Sequence, residues 1–279
     1  MAKLSKAQAK AHQQACDILT KPRLTEEEKE FVFRNWHEGA NHVNGAAGAF
    51  FTPFDMAFDF AFDVGGPRVI DLCAGIGMLS YAVYQRHRYG HHDTKLQITC
   101  VERNADYVEA GRKLVPEADW ICADVLDLLE MVLGRFDWAI SNPPFGNIKR
   151  LKNAPRYAGR DFEFHVIDVA SHLADNGTFI VPQISAGFNY SARPKYERQK
   201  NGKAVKFQEL TGLHFDAGCG VDTAFYKDEW KGVSPICEIV CVDFEGGESI
   251  TAAPVEKVHE PHNSKIADDG QLDMFGRAA

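Results

Sequence analysis

Asn142, Pro143, Pro144 and Phe145 follow directly on the apolar run 136–141, and their types suit one kind of chemistry. The Asn142 side-chain oxygen accepts one hydrogen bond. The carbonyl of Pro143 accepts another, because two consecutive prolines fix the backbone and remove competing N–H donors. The Phe145 ring offers a face on which a planar group can stack. Two acceptors aimed at one amino group hold its lone pair towards an electrophile. This is a site for alkylating a planar amide or an exocyclic base amine.

The elements that must position these residues lie upstream. Residues 68–80 read as a short buried strand, a turn containing Ala74, Gly75 and Gly77, and the start of a helix. Glycines in the turn let the backbone approach a ligand closely. The helix N-terminus behind them favours negative charge, but Asp71 places a carboxylate at the strand end, which suits a cationic or hydroxyl-bearing ligand. A second strand over 96–102 ends at Glu102, where an acid can grip ribose hydroxyls in a nucleotide-binding α/β sheet. A third over 118–123 leads to Asp124, placed to receive an adenine amino group. The acids and the Asn-Pro-Pro-Phe tetrad thus fall on one carboxyl edge, where open α/β sheets bind ligands.

On these residues the chain resembles the S-adenosylmethionine-dependent amino-methyltransferases, most closely the DNA N6-adenine class, over roughly residues 48–244. A second shared element is Gly48-Ala49-Phe50-Phe51-Thr52-Pro53, similar to a segment that precedes the glycine turn in adenine methyltransferases of restriction systems. The resemblance implies an α/β, Rossmann-like methyltransferase fold with a mixed, mostly parallel seven-stranded sheet and helices on both faces. It implies S-adenosyl-L-methionine as cofactor, contacted by Phe51, Thr52, Asp71, Ala74, Gly75, Glu102 and Asp124, with Pro53 and Gly77 beside them. Asn142, Pro143, Pro144 and Phe145 would hold a flipped adenine of double-stranded DNA. An amine engaged in Watson–Crick pairing cannot otherwise meet the donor. The same tetrad occurs in methyltransferases of rRNA bases and of protein glutamine, and a non-catalytic protein could keep the fold. Those readings stay open beside the first.

The chain has 279 residues, enough for one core with an appendage. Residues 1–45 are expected to form a helical appendage, with Thr25 to Glu28 as a capping box. Residues 46–244 are expected to form the catalytic domain, with 185–233 as a small target-recognition insertion. Within it, Asp175-Asn176-Gly177 reads as a turn and 236–244 as a closing antiparallel strand. The net charge of −8 is awkward for a DNA enzyme. Between 146 and 206, however, eleven basic residues face five acids, which makes Lys149, Arg150, Arg193 and Lys195 candidate DNA contacts. Phe225 is a candidate for the other face of the flipped base, against ordinary strand packing. No apolar run is long enough for a membrane span, and no secretory signal opens the chain. Seven cysteines without a Cys-x-x-Cys pair argue against a metal site. Cys100, Cys122, Cys237 and Cys241 read as buried thiols of a cytoplasmic, nucleoid-associated protein. The tail 245–279 has low hydrophobicity and reads as flexible. It carries Gln271-Leu272-Asp273-Met274-Phe275, which looks like the pentapeptide that docks bacterial proteins on the DNA sliding clamp. Leu272, Met274 and Phe275 would fill apolar pockets and Gln271 would anchor by hydrogen bonds.

Overall fold

The computed structural model describes residues 4–37, 50–90, 94–231 and 235–244. Short apolar runs form β1 (Arg68–Leu72), β2 (Gln97–Glu102), β3 (Asp119–Cys122), β4 (Phe136–Ser141) and β5 (Ala174–Pro182). The two-residue strands β6 (Phe188–Asn189) and β7 (Glu197–Arg198) make a separate small ladder, and β8 (Cys237–Asp243) returns to the main sheet. Its order is β3-β2-β1-β4-β5-β8. Neighbours are parallel through β5, and β8 runs antiparallel to β5 as the sequence predicts. Among the described residues the strand count is six, which corrects the expected seven. Where a seventh strand would pair with β8, the chain makes a single bridge, Asp216 with Cys241. Gly218 and Gly220, both at positive φ, then turn it away.

Among the described residues seven α-helices complete the layers: α1 (Lys6–Leu19), α2 (Glu26–Asn35), α3 (Phe54–Phe60), α4 (Met78–Tyr89), α5 (Ala105–Leu114), α6 (Phe162–Leu173) and α7 (Lys203–Thr211). Strand side chains alternate between two cores because successive residues face opposite ways. Val69, Ile140 and Ile180 pack against residues of the first five helices, among them Ala15, Phe33, Phe60, Leu79 and Leu114. Ile70, Ala139, Phe179 and Val181 pack on the other face with Phe164, Phe207 and Phe215. There Phe164 of α6 stacks on Phe207 of α7 at 4.6 Å.

Thr25 and Glu28 form the capping box expected at the start of α2. The N-terminal helices are sewn to the sheet layer: Tyr81 and Gln85 of α4 donate to Glu26, and the Lys231 ammonium donates to the carbonyls of Phe33 and Trp36, 2.7 Å each.

Three local expectations are corrected. Asp175-Asn176-Gly177 is not a turn but lies inside β5, paired on both sides. Gly177 is needed there because the Phe179 and Phe244 rings occupy the space of a Cβ. Residues 223–226 are a 3-10 turn rather than a strand, capped by Asp222. Cys122 is exposed, whereas Cys100 and Cys237 are buried and Cys241 is half-buried. No helix among the described residues is long and apolar enough to cross a membrane. Gln271, Leu272, Met274 and Phe275 lie outside the described residues, as do Gly48 and Ala49.

Candidate active site

The carboxyl ends of β1, β2, β3 and β4 open into a cavity of about 300 Å³. Between β1 and α4 the chain makes a tight turn with Cys73, Gly75 and Gly77 all in the left-handed region, φ 63°, 58° and 89°. A non-glycine residue there is uncommon and costs about 1 kcal/mol or more, so Cys73 is held in place by its surroundings. Burial, reinforced by the Glu102, Asp124 and Asp71 carboxylates, pushes its thiol well above the ordinary range. Cys73 therefore stays protonated and is no thiolate nucleophile.

The two glycines differ in purpose. A Cβ on Gly75 would sit 3.1 Å from the Phe51 ring at the cavity wall. A Cβ on Gly77 would meet Val115 and Trp120, at 2.9 and 3.0 Å, away from the cavity. Gly77 thus serves the turn and the packing of α4, and it lines neither cavity described here.

The acids are graded in their free valence. Glu102 accepts from Gly75 N (3.0 Å) through one oxygen and from Asn104 N (2.7 Å) through the other. Each oxygen keeps a lone pair for a ligand hydroxyl. Burial raises its carboxyl above the ordinary value, against the pull of those N–H groups. Asp124 caps the following 3-10 turn through Leu126 N (3.0 Å) and stands 3.5 Å from Arg103. Asp71 is buried. Ser80 donates to its Oδ2 at 2.7 Å, and its Oδ1 has no partner. Burial first, then the nearby Glu102, pushes this carboxyl up to about 7. An orphaned buried acceptor is rare. This one borders a second pocket of about 30 Å³, shared with Thr52, Ala74 and Gly75, and a cationic group entering there would satisfy it.

Asn142 lines both cavities and joins them. Its Nδ2 donates to the Phe50 carbonyl (2.9 Å) and to Thr52 Oγ1 (3.0 Å). A peptide carbonyl only accepts, so the amide can be oriented in one way only, with Oδ1 left over. Among the described residues no group donates to that oxygen. Ser141 Oγ bonds to the Leu72 carbonyl and locks the end of β4 to the end of β1. Pro143 is buried, Pro144 lines the cavity, and the half-buried Phe145 meets Phe50 edge to face at 6.4 Å. Pro53 caps α3 and lines neither cavity.

After the tetrad, Gly146 at φ 79° donates its N–H to Glu163 (2.8 Å). Glu163 is fully buried and also accepts from Ser185 (2.6 Å) and Lys203 (3.4 Å). Residues 147–161 then form a loop closed by a bridge between Asn147 and Asp161.

The DNA-contact candidates do not gather at the cavity. Phe225 is 83% exposed on the 3-10 turn and does not line it. Arg150 turns into its own loop, donating to Gly159 O (2.6 Å) and Asn153 (2.9 Å). Lys195 is exposed and pairs with Glu197 at 3.4 Å, while Lys149 and Arg193 are exposed without an acidic partner among the described residues. Sequence reasoning missed Asn104, Tyr107, Ile148 and Phe162, which all line the cavity. Asn104, a helix cap two residues past Glu102, was legible as such. Tyr107 reaches the site by packing on Phe51, 5.2 Å between rings, which no local pattern encodes.

Residues 60–181 match the family model described as methyltransferase small domain. No curated protein matches the chain. Among solved structures, a putative class I S-adenosylmethionine-dependent methyltransferase from Listeria monocytogenes aligns over 91% of this chain and 84% of its own, at 13% identity and TM-score 0.55. A modification subunit of a putative type I restriction enzyme from Vibrio vulnificus YJ016 aligns over 80% of this chain at 14% identity and TM-score 0.53. The alignment spans only 51% of that subunit. At such identities the likeness is one of fold. The pocket suits the donor that the fold implies: a diol acceptor at Glu102, an unsatisfied carboxylate oxygen at Asp71, and a wall of Phe51 and Tyr107. Residues 60–181 are thus similar to a methyltransferase small domain, and the fold around them is shared with the S-adenosylmethionine-dependent methyltransferase from Listeria.

Proposed function

We propose that this domain transfers the methyl group to the N6 amine of adenine in duplex DNA, on a base rotated out of the helix. The observation that carries the reading is the pinned Asn142 amide, which lines a cavity of about 300 Å³ and keeps Oδ1 without a donor among the described residues. In this reading Asn142 Oδ1 and the Pro143 carbonyl accept the two N6 hydrogens, and the Phe145 ring stacks on the purine. Holding both hydrogens localises the nitrogen lone pair and stabilises the positive charge that grows on it during attack. Held by Asn142 and Pro143, the amine nitrogen would take the donor's methyl carbon as its carbon–sulfur bond gave way to a neutral thioether, and the amine would then lose a proton to water. Glu102 orients the donor's ribose and Asp71 its ammonium group. S-adenosylmethionine supplies the electrophilic methyl.

Incubation with tritiated S-adenosylmethionine and unmethylated plasmid, followed by digestion to nucleosides, should give N6-methyladenine. Label confined to rRNA or to protein glutamine would replace this substrate with one of the other two. The tail sequence Gln271 to Phe275 supports a further part of the reading, docking on the DNA sliding clamp. Tethering raises the local enzyme concentration without phosphate contacts. Deleting residues 271–275 should abolish binding to purified clamp while methylation of short duplexes survives; unaltered clamp binding would refute the docking.

A further inference from the structure

We infer that Leu151 is a wedge that enters the base stack when the target nucleotide leaves it. The inference rests on the DNA reading above and adds to it the residue that holds the duplex open. Leu151 is fully exposed, at 103% of its reference area. A single exposed leucine is ordinary, and Val132 is as exposed, ahead of β4 at the opposite edge of the sheet. Leu151 differs in what holds it out. It stands on the loop 147–161, whose two stems both touch the cavity: Ile148 lines it on one side and Phe162 on the other.

The loop is braced throughout, and none of the braces covers Leu151. Asn147 and Asp161 close its base. Arg150 bonds across it to Gly159. Lys152 pairs with Asp127 at 2.7 Å and with Glu130 at 2.5 Å. Residues on both sides of Leu151 are therefore tied down, Arg150 across its own loop and Lys152 to the surface acids Asp127 and Glu130, while the apolar side chain between them is left exposed. It stands three residues after Ile148, so its Cα lies within about 11 Å of the Cα of that cavity-lining residue. Bases stack about 3.4 Å apart, which places the tip within a few base steps of any nucleotide occupying the cavity. Lys149, exposed and without an acidic partner, stands beside it to meet a phosphate. Apolar side chains inserted between base steps are a general device for filling an unstacked gap.

The test compares two substrates built around one adenine that the wild-type enzyme methylates, located by long-read sequencing of modified plasmid. In the first duplex that adenine is paired with thymine; in the second it faces an abasic site, so little stacking or pairing opposes its exit. Leu151→Ala should lower kcat/KM on the paired duplex roughly tenfold or more and on the abasic duplex far less. Leu151→Met, which keeps length and apolarity, should restore most of the loss. With 2-aminopurine at the target, the fluorescence rise that reports a flipped base should shrink in Leu151→Ala alone. Equal losses on both duplexes, or none on the paired one, would overturn the wedge while leaving adenine methylation standing. A wild-type enzyme that methylates no duplex adenine would remove both.

Discussion

In the proposed reaction the Asn142 amide can serve only if it is turned the right way, and two acceptors turn it. Thr52→Val keeps the shape of the side chain and deletes one of them. The amide then rests on the Phe50 carbonyl alone, and its orientation loosens. We expect kcat to fall roughly fivefold, the worth of a hydrogen bond of about 1 kcal/mol at a reacting group, with little change in donor affinity by calorimetry. Asp71 gives a second residue-scale prediction. Its carboxyl is pushed up to about 7 by burial, above the value of about 4 for a free aspartate. Its contribution to folding stability is thus fully present below pH of about 4 and is lost as pH rises through about 7. A cationic ligand favours the ionised carboxylate. Binding of S-adenosylhomocysteine, which carries the same ammonium, should therefore release a proton near neutrality and weaken as pH falls from about 8 to 6. Asp71→Asn should flatten that dependence; a wild-type affinity without pH dependence would show that no cation reaches Oδ1. The residue types at 71, 102, 124 and 142 were legible because each closes a strand. Their free valences were not, because whether Asp71 Oδ1 is orphaned depends on Ser80 nine residues on and on everything packed above it.

At the scale of elements, strand-turn-helix patterns located β1 to β4, and the capping box located α2. The failures share one cause: a local signal overruled by a distant partner. Asn176 and Gly177 have turn propensity, yet β4 and β8 pair with them on both sides and two aromatic rings need the missing Cβ. The last sheet strand expected from the resemblance shrinks to one bridged residue because glycines at 218 and 220 end it. The turn between β1 and α4 separates two roles that look alike in sequence. Gly77→Ala should destabilise the fold by about 2 kcal/mol, from a left-handed φ and a Cβ pressed on Val115 and Trp120. Donor affinity of the folded protein should change little. Chemical denaturation with and without ligand measures both.

For the molecule as a whole, the basic excess between 146 and 206 is smaller in effect than in count. Lys152, Arg156, Lys195, Arg198 and Lys203 are paired with carboxylates, and Arg150 is turned inward. Lys149, Arg160, Arg193, Lys200 and Lys206 are exposed without an acidic partner among the described residues. If these five are the phosphate contacts of that stretch, the logarithm of DNA affinity should fall with the logarithm of salt concentration at a slope no steeper than about −4.5. A fluorescence-anisotropy titration across salt concentrations checks it, and a markedly steeper slope would place further cations on the DNA. The N-terminal helices belong to the same calculation of integrity, since Ala15, Val32 and Phe33 share one core with Met56, Phe60 and Tyr81.

One of the two anchors of the Asn142 amide is a main-chain atom. No side-chain replacement at position 50 can remove a peptide carbonyl, so mutation can reach this anchor only by moving the backbone. The hydroxyl at position 52 has no such protection. In a library of random variants selected for loss of methylation, hits at 52 should read as a loosened amide. Hits at 50 should report on the ring instead, and their defect should scale with aromatic area rather than with hydrogen-bonding capacity.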